Sequence, residues 1–319
     1  MRITDSILAS NFVTSLNKSK VAINTLQTQI YSGSTINKPS DSPSGMARVL
    51  RLEDQIANAD TFVKNIDNSS AFLQTTIDTM ESMMDETQNV VVMFSEINNP
   101  TTVTSYSTYA DKLDLTIKAM VDMANTEYDG KYLFGGTDFS KKPFDFSTST
   151  VINPSTGQMT TPVMQSVDTS GVQNVRISTN VTQKINTSGN ELFGTLPNSS
   201  NVPPDAPDVS KGDIFNTLIR VRDDLRSGKK PADADVQLVK DFNQKILGKI
   251  SSAGETMNRL NDTRDLLEGQ QGELKNLLSK EKDTDVAKAV IDLQNQQYFL
   301  EMSYKMSSMI LPKSLLDYL

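Results

Sequence analysis

The 319-residue sequence contains no cysteine, no histidine and no tryptophan. Without Cys and His there is no disulfide, no thiolate nucleophile, no imidazole base and no soft-ligand zinc site within the chain. The Ser–His and Cys–His pairs on which most covalent catalysis rests are therefore missing. Aromatic residues make up 6% and hydrophobic residues 37%, low for a globular chain. Such a composition suits long thin apolar seams better than one thick core. No apolar stretch approaches the ~18 residues of a membrane-spanning helix. The first residues, Met-Arg-Ile-Thr-Asp-Ser-Ile-Leu-Ala-Ser, contain no apolar h-region, so export without a Sec-type signal peptide is the expectation if the protein leaves the cell.

Charge of one sign is also scarce where it would matter for nucleic acids. The net charge is −8, and there is no basic stripe of the kind that binds a phosphate backbone. The negative excess is local. Residues 46–127 carry five Lys/Arg against 13 Asp/Glu, whereas residues 214–319 carry 16 of each. A solvated helix face accounts for such a run. Phosphate-binding glycine motifs are absent, and Gly135-Gly136 reads as a turn. Neighbouring carboxylates such as Asp85-Glu86 and Asp223-Asp224 do not face each other on a helix, so they are no paired acid. Neither a catalytic site nor a cofactor or metal is expected.

What the sequence does contain is heptad spacing. Ala9, Leu16, Ile23 and Ile30 recur every seven residues, and Phe12, Ser19 and Leu26 follow with an offset of three; this is a helical seam. The helix should stop at Ser32-Gly33, because Gly accepts the left-handed conformation of a C-cap. A loop with two prolines follows, and Ser42-Pro43 reads as N-cap and first residue of the next helix. That helix keeps two seams over seven heptads, from Val49 and Leu52 to Val91 and Phe94. It would be roughly 80 Å long at 1.5 Å per residue. Met80 and Met84 belong to the seams as core filler; Met83 lies beside them and is a candidate to face a neighbouring molecule. A shorter helix with Leu113, Ile117 and Met120 on one face comes next.

The pattern changes at Tyr128-Asp129-Gly130. Residues to about 213 are rich in Thr, Ser, Asn, Gly and Pro, with one or two strands expected over Val172–Ile185. This insert should be dispensable for the helical core. Helical spacing returns at Ile214, Leu218, Val221 and Leu225, and again from Val239 to Leu278, with a possible bend at Gly269 and Gly272. The last series is Val286, Val290, Leu293, Gln297, Leu300, Tyr304, Ser307 and Leu311. The fold class is thus mainly α with a β-rich insert: a long antiparallel bundle or coiled coil formed by both termini, plus a small β domain. Five segments are delimited: an N-terminal arm (1–45), a long helix and helical hairpin (46–129), the β-rich outer insert (130–213), a helical return (214–284) and a C-terminal helix (285–319). Each terminal helix has a single seam and needs a partner, and the other terminal helix is the simplest one.

Four stretches then resemble one family. Leu26-Gln-Thr-Gln-Ile-Tyr-Ser-Gly-Ser-Thr-Ile-Asn-Lys-Pro-Ser-Asp-Ser-Pro-Ser-Gly45 is similar to the N-terminal region of bacterial flagellins. Asp129-Gly-Lys-Tyr-Leu-Phe-Gly-Gly-Thr137 resembles the family's motif at the entry to its outer domain. Ser188-Gly-Asn-Glu-Leu-Phe193 and Ser314-Leu-Leu-Asp-Tyr-Leu319 complete the set. Lys38-Pro39-Ser40-Asp41 with Pro43 is closer to the L-type hook-associated members of the flagellin family than to flagellin itself, although Ser42 stands where many relatives have a second Asp. The resemblance implies a structural, non-enzymatic subunit at the junction of hook and filament, exported by the flagellar type III apparatus to the cell exterior. It implies as partners further copies in a ring, the neighbouring hook-associated protein on the hook side, flagellin on the filament side, and an export chaperone on the C-terminal helix. The assembly interface would comprise Phe12, Leu16, Ile23, Leu26, Ile30, Val286, Leu293, Leu300, Leu311, Leu315 and Leu316. The competing readings are a flagellin-like filament subunit and, in another class, a secreted coiled-coil effector or translocator. The latter requires a membrane-active segment, which the sequence lacks.

Overall fold

The computed structural model describes residues 2–97, 106–139, 141–148, 150–152, 159–197 and 213–310. Seven helices lie among them: α1 (Arg2–Ser32), α2 (Pro43–Ile97), α3 (Tyr106–Ala124), α4 (Gly189–Phe193), α5 (Ile214–Arg226), α6 (Asp233–Lys282) and α7 (Val286–Ile310). Eight short strands fall between α3 and α4: β1 (Glu127–Tyr128), β2 (Lys131–Tyr132), β3 (Phe144–Phe146), β4 (Val151–Ile152), β5 (Met159–Thr160), β6 (Val163–Gln165), β7 (Asn174–Ser178) and β8 (Val181–Lys184). The chain divides into two compact units, residues 1–60 with 268–319, and residues 61–267. Both α2 and α6 contribute to each unit.

In the first unit α1 packs along α7, as the single seams require. The helix stop is where the glycine places it: α1 ends at Ser32, and Gly33 has φ +69°. The Ser42 hydroxyl then accepts from the Gly45 N–H at 3.1 Å and starts α2 at Pro43. The loop is tied to the α6–α7 junction. The Thr35 N–H donates to the Lys282 carbonyl at 2.6 Å and the Thr284 N–H to the Gly33 carbonyl at 2.8 Å, flanking an antiparallel bridge between Ser34 and Asp283. Arg48–Glu281 and Lys282–Glu53 ion pairs lie beside it. α6 runs through Gly269 and Gly272 as one helix, so no helix break is found there.

The second unit is a four-helix arrangement closed edge to edge. Glu86 of α2 accepts from Thr116 of α3, and Asp114 of α3 pairs with Arg222 of α5. Arg220 of α5 pairs with Asp235 of α6, and Asn243 of α6 donates to Gln88 of α2. Ile66, Met80, Met83, Leu113, Ile117, Met120, Phe215, Leu218, Val239, Ile246 and Leu260 fill the middle; each such side chain contributes roughly 1.5–3 kcal/mol. Met83 is fully buried, so it is core and faces no neighbour. At Thr76 and Thr87 the α2 core face is polar, and both hydroxyls donate to carbonyls one turn back, which satisfies them without a partner helix.

The insert forms four separate antiparallel strand pairs, β1–β2, β3–β6, β4–β5 and β7–β8. The β1–β2 hairpin turns on Asp129 and Gly130, both at positive φ (51° and 69°), the conformation of a two-residue turn that matches strand twist. The insert is not separable from the helices. Phe144 of β3 and Phe193 of α4 stack against Phe215 of α5 at 5.8 and 5.0 Å, and Phe193 lies 6.3 Å from Phe242 of α6. Asn216 of α5 accepts from the Val163 N–H and donates to the Val163 carbonyl, both at 3.0 Å, acting as a strand partner for β6. The expectation of a dispensable insert is therefore corrected: it shares the helical core.

Candidate assembly surfaces

Among the described residues no group of acidic side chains is arranged to hold a metal ion. The buried guanidinium groups of Arg220 and Arg222 are neutralised in place. Arg222 bonds Asp114, Asp223 and the Thr160 hydroxyl at 2.8–2.9 Å. Burial pushes the Asp114 carboxyl up, but bonds from Lys118 and Arg222 outweigh it and hold the group below its ordinary range. Asp213 caps α5, accepting from the Asn216 N–H at 2.8 Å, and burial pushes it up to about 6 against those Asn216 bonds. An open groove of about 660 Å³ between α2, β1–β2 and β7 is lined by Asn65, Phe72, Tyr128 and Gln173. The Asn65 and Gln173 amides in it are already bonded to the Arg176 and Gly136 carbonyls. Asp129 and Lys131 also line it.

The terminal helices carry the more telling surface. Phe12, Leu16, Ile23, Leu26 and Ile30 of α1 are all half-buried, as are Leu293 and Leu300 of α7. Leu311, Leu315 and Leu316 lie outside the described residues. Val286 is exposed, and so are Val290, Gln297 and Tyr304; the expected C-terminal seam is corrected here. The covered positions of α7 are Ala289, Asp292, Leu293, Gln296, Leu300, Ser303 and Ser307; apart from Asp292 they follow a regular 4–3 alternation, and most are small or polar. Small side chains let two helices approach closely, and that decides which register faces α1.

The rotation leaves the large apolar residues outside. Ile291, Tyr298, Phe299, Met302 and Met306 are all exposed, Tyr298 and Phe299 by 61% and 59%. At 100° per residue they cluster away from the α1-facing row. Reading the apolar positions in a second helical register, rather than extending one heptad series, would have found them.

Residues 3–138 match the family model of the bacterial flagellin N-terminal helical region. In fold, the chain is similar to a putative flagellar hook-associated protein of Vibrio parahaemolyticus, with a TM-score of 0.57, 17% identity, and coverage of 76% of this chain and 100% of that one. It is also similar to FlgL of Bacillus cereus (0.52, 17% identity, 72% and 99%) and to flagellar hook-associated protein 3 of Legionella pneumophila (0.57, 14%, 73% and 98%). No curated protein sequence matches. The flagellin-like motifs now have physical roles. Ser32-Gly33 ends α1, and Asp41 accepts from the Asn37 and Lys38 N–H groups at 3.0 and 2.9 Å to shape the loop. Gly136 sits at φ +68° where a Cβ would lie 2.8 Å from the Gly171 nitrogen. Ser188 caps α4 through the Glu191 N–H, and Leu192 and Phe193 fill the insert's core. The fourth motif, Ser314–Leu319, lies outside the described residues.

Proposed function

We propose that this chain is a non-enzymatic structural subunit of the bacterial flagellum, forming the junction between hook and filament. The observation that carries the reading is the outward face of α7. Five large apolar side chains stand in water on a helix whose inner face is already occupied by α1. A monomer gains nothing from that arrangement, whereas neighbouring subunits would remove the area from water at ~25 cal/mol per Å². The likeness to hook-associated proteins favours the junction over a filament subunit. The N-terminal arm (1–45) and C-terminal helix (285–319) would together form the assembly element. The partners would be further copies in a ring, the adjoining hook-associated protein and flagellin, with an export chaperone covering the C-terminal helix beforehand. Export would run through the flagellar type III apparatus to the cell exterior. No helix among the described residues is long and apolar enough to cross a membrane.

Two strains test this. A null strain should make hooks without filaments and lose flagellin to the medium; normal filaments would refute the junction role. A strain carrying only Phe299→Asp should secrete a folded protein that supports no filament. Because Phe299 is exposed, the substitution should change monomer stability by no more than about 0.5 kcal/mol.

A further inference from the structure

Two surface features of the second unit lie over the edge of its helical core. The first is a groove of about 400 Å³ along α2 and α3, floored by Val90, Met93 and Leu113. Its lips are Val92 and Leu115, which are 51% and 68% exposed. Glu86 lines it, and its carboxylate accepts from the Thr116 hydroxyl at 3.3 Å. Among the described residues Lys112 is the one ammonium lining the groove, beside Glu86 and Glu96. The second feature is a notch of about 130 Å³ over α4, α5 and α6, lined by Phe193, Ile214, Leu238, Phe242 and Lys245 among others. Leu238 is 37% exposed. Lys245 forms no ion pair among the described residues; burial first, and then the charge of Lys249, hold its ammonium below the ordinary lysine range against the pull of Glu191.

The order of contacts places these features. With α2 bonded to α3, α3 to α5, α5 to α6 and α6 back to α2, the α2–α3 edge and the α5–α6 edge are opposite edges of the bundle. They are complementary in charge. Residues 46–127 carry five Lys/Arg against 13 Asp/Glu, whereas residues 214–249 carry eight against five. They are complementary in shape, a projecting leucine on one and a one-side-chain notch on the other. Two different patches on opposite edges make a head-to-tail contact, which generates a ring or a helix instead of a two-fold dimer.

We infer that the α2–α3 groove of one copy docks on the α5–α6 notch of the next, with Leu115 entering beside Leu238 and Glu86 pairing with Lys245. The inference rests on the proposed assembly into a junction ring and names its lateral contact. The exposed ammonium of Lys245 gains a carboxylate there, and the exposed lips of the groove are covered.

The chain has no cysteine, so the pairing is directly testable. Leu115→Cys and Leu238→Cys are introduced together and singly into the full chain, and flagella from strains carrying each are oxidised. The double variant should give a ladder of covalent multimers while each single variant stays monomeric. A dimer from Leu115→Cys alone would show a two-fold contact and overturn the pairing. So would a double variant that assembles filaments but gives no ladder. Failure of the wild-type chain to appear in flagella would instead sink the junction reading. Charge reversal supplies a second measurement on the same contact. Glu86→Lys and Lys245→Glu should each lower the fraction of filament-bearing cells, and the pair combined should restore it; additive loss without rescue overturns the contact.

Discussion

Asp213 shows how a local signal and its surroundings pull in opposite directions. As an N-cap it offers a carboxylate to the Asn216 N–H, which favours the charged form, yet burial dominates and pushes the group up to about 6. A carboxyl raised in the folded state binds its proton more tightly there than in the unfolded chain. Its stabilising contribution is therefore fully present below the unfolded value near 4 and is lost as pH rises through about 6. Asp213→Asn keeps a capping oxygen and removes the titration. The melting temperature of the variant relative to wild type should accordingly rise by several degrees between pH 4.5 and pH 7.5, as followed by circular dichroism. A constant difference across that range would show that Asp213 does not titrate in it. Gly189 makes a second case. A Cβ there would lie 2.7 Å from the Phe134 carbonyl oxygen and 2.8 Å from the Phe144 ring. Gly189→Ala should thus cost about 1–3 kcal/mol from overpacking, measured by urea denaturation.

At the scale of elements, α1 and α7 differ from α2 and α6 in what covers them. Ile66, Leu73, Met80 and Phe94 of α2 are buried against several neighbours. No residue of α1 with a described side chain is buried, and only Ala289 of α7 is. A pair of helices held by half-buried seams, with Gln296, Ser303 and Ser307 in the shared face, opens at low cost. Limited proteolysis of the soluble monomer should therefore cut within 2–32 and 286–310 before it cuts within 61–97. Equal resistance would mean that the pair is as stable as the bundle. Leu300 sits in the inner row, so Leu300→Asp should speed that cleavage, whereas Phe299→Asp on the outer face should leave its rate unchanged.

For the whole molecule, the position of the insert is decisive. Joining residue 129 to residue 213 removes Phe144 and Phe193, and with them the contacts that cover Phe215 and Phe242. Loss of a buried Phe side chain costs about 3–5 kcal/mol. At roughly 2–4 °C per kcal/mol for a domain of this size, the excised chain should melt more than ~10 °C below the parent or lose its cooperative transition. An unchanged melt would return the insert to the status of an appendage.

Helix positions were legible in the sequence because they depend on neighbours in the chain. The stop at Gly33, the start at Pro43, the strand pair within 172–185 and the seams of α2 follow from spacing, caps and backbone freedom alone. The family motifs could be read for the same reason, since most are turns and caps. Which face of a helix is covered depends on residues far away in sequence. Heptad spacing in α7 admitted two registers, and close packing against α1 selected the one with small side chains. α5 reads as a helix with one apolar face at Ile214, Leu218, Val221 and Leu225, yet Arg220, Arg222 and Asp223 are buried with it. Asp114, Thr160 and Asp235, brought from three other elements, satisfy those charges. The sequence by itself determined where the helices and turns lie; only the tertiary structure decided what each face meets, because burial and charge compensation are properties of the assembled neighbours and not of the spacing along one chain.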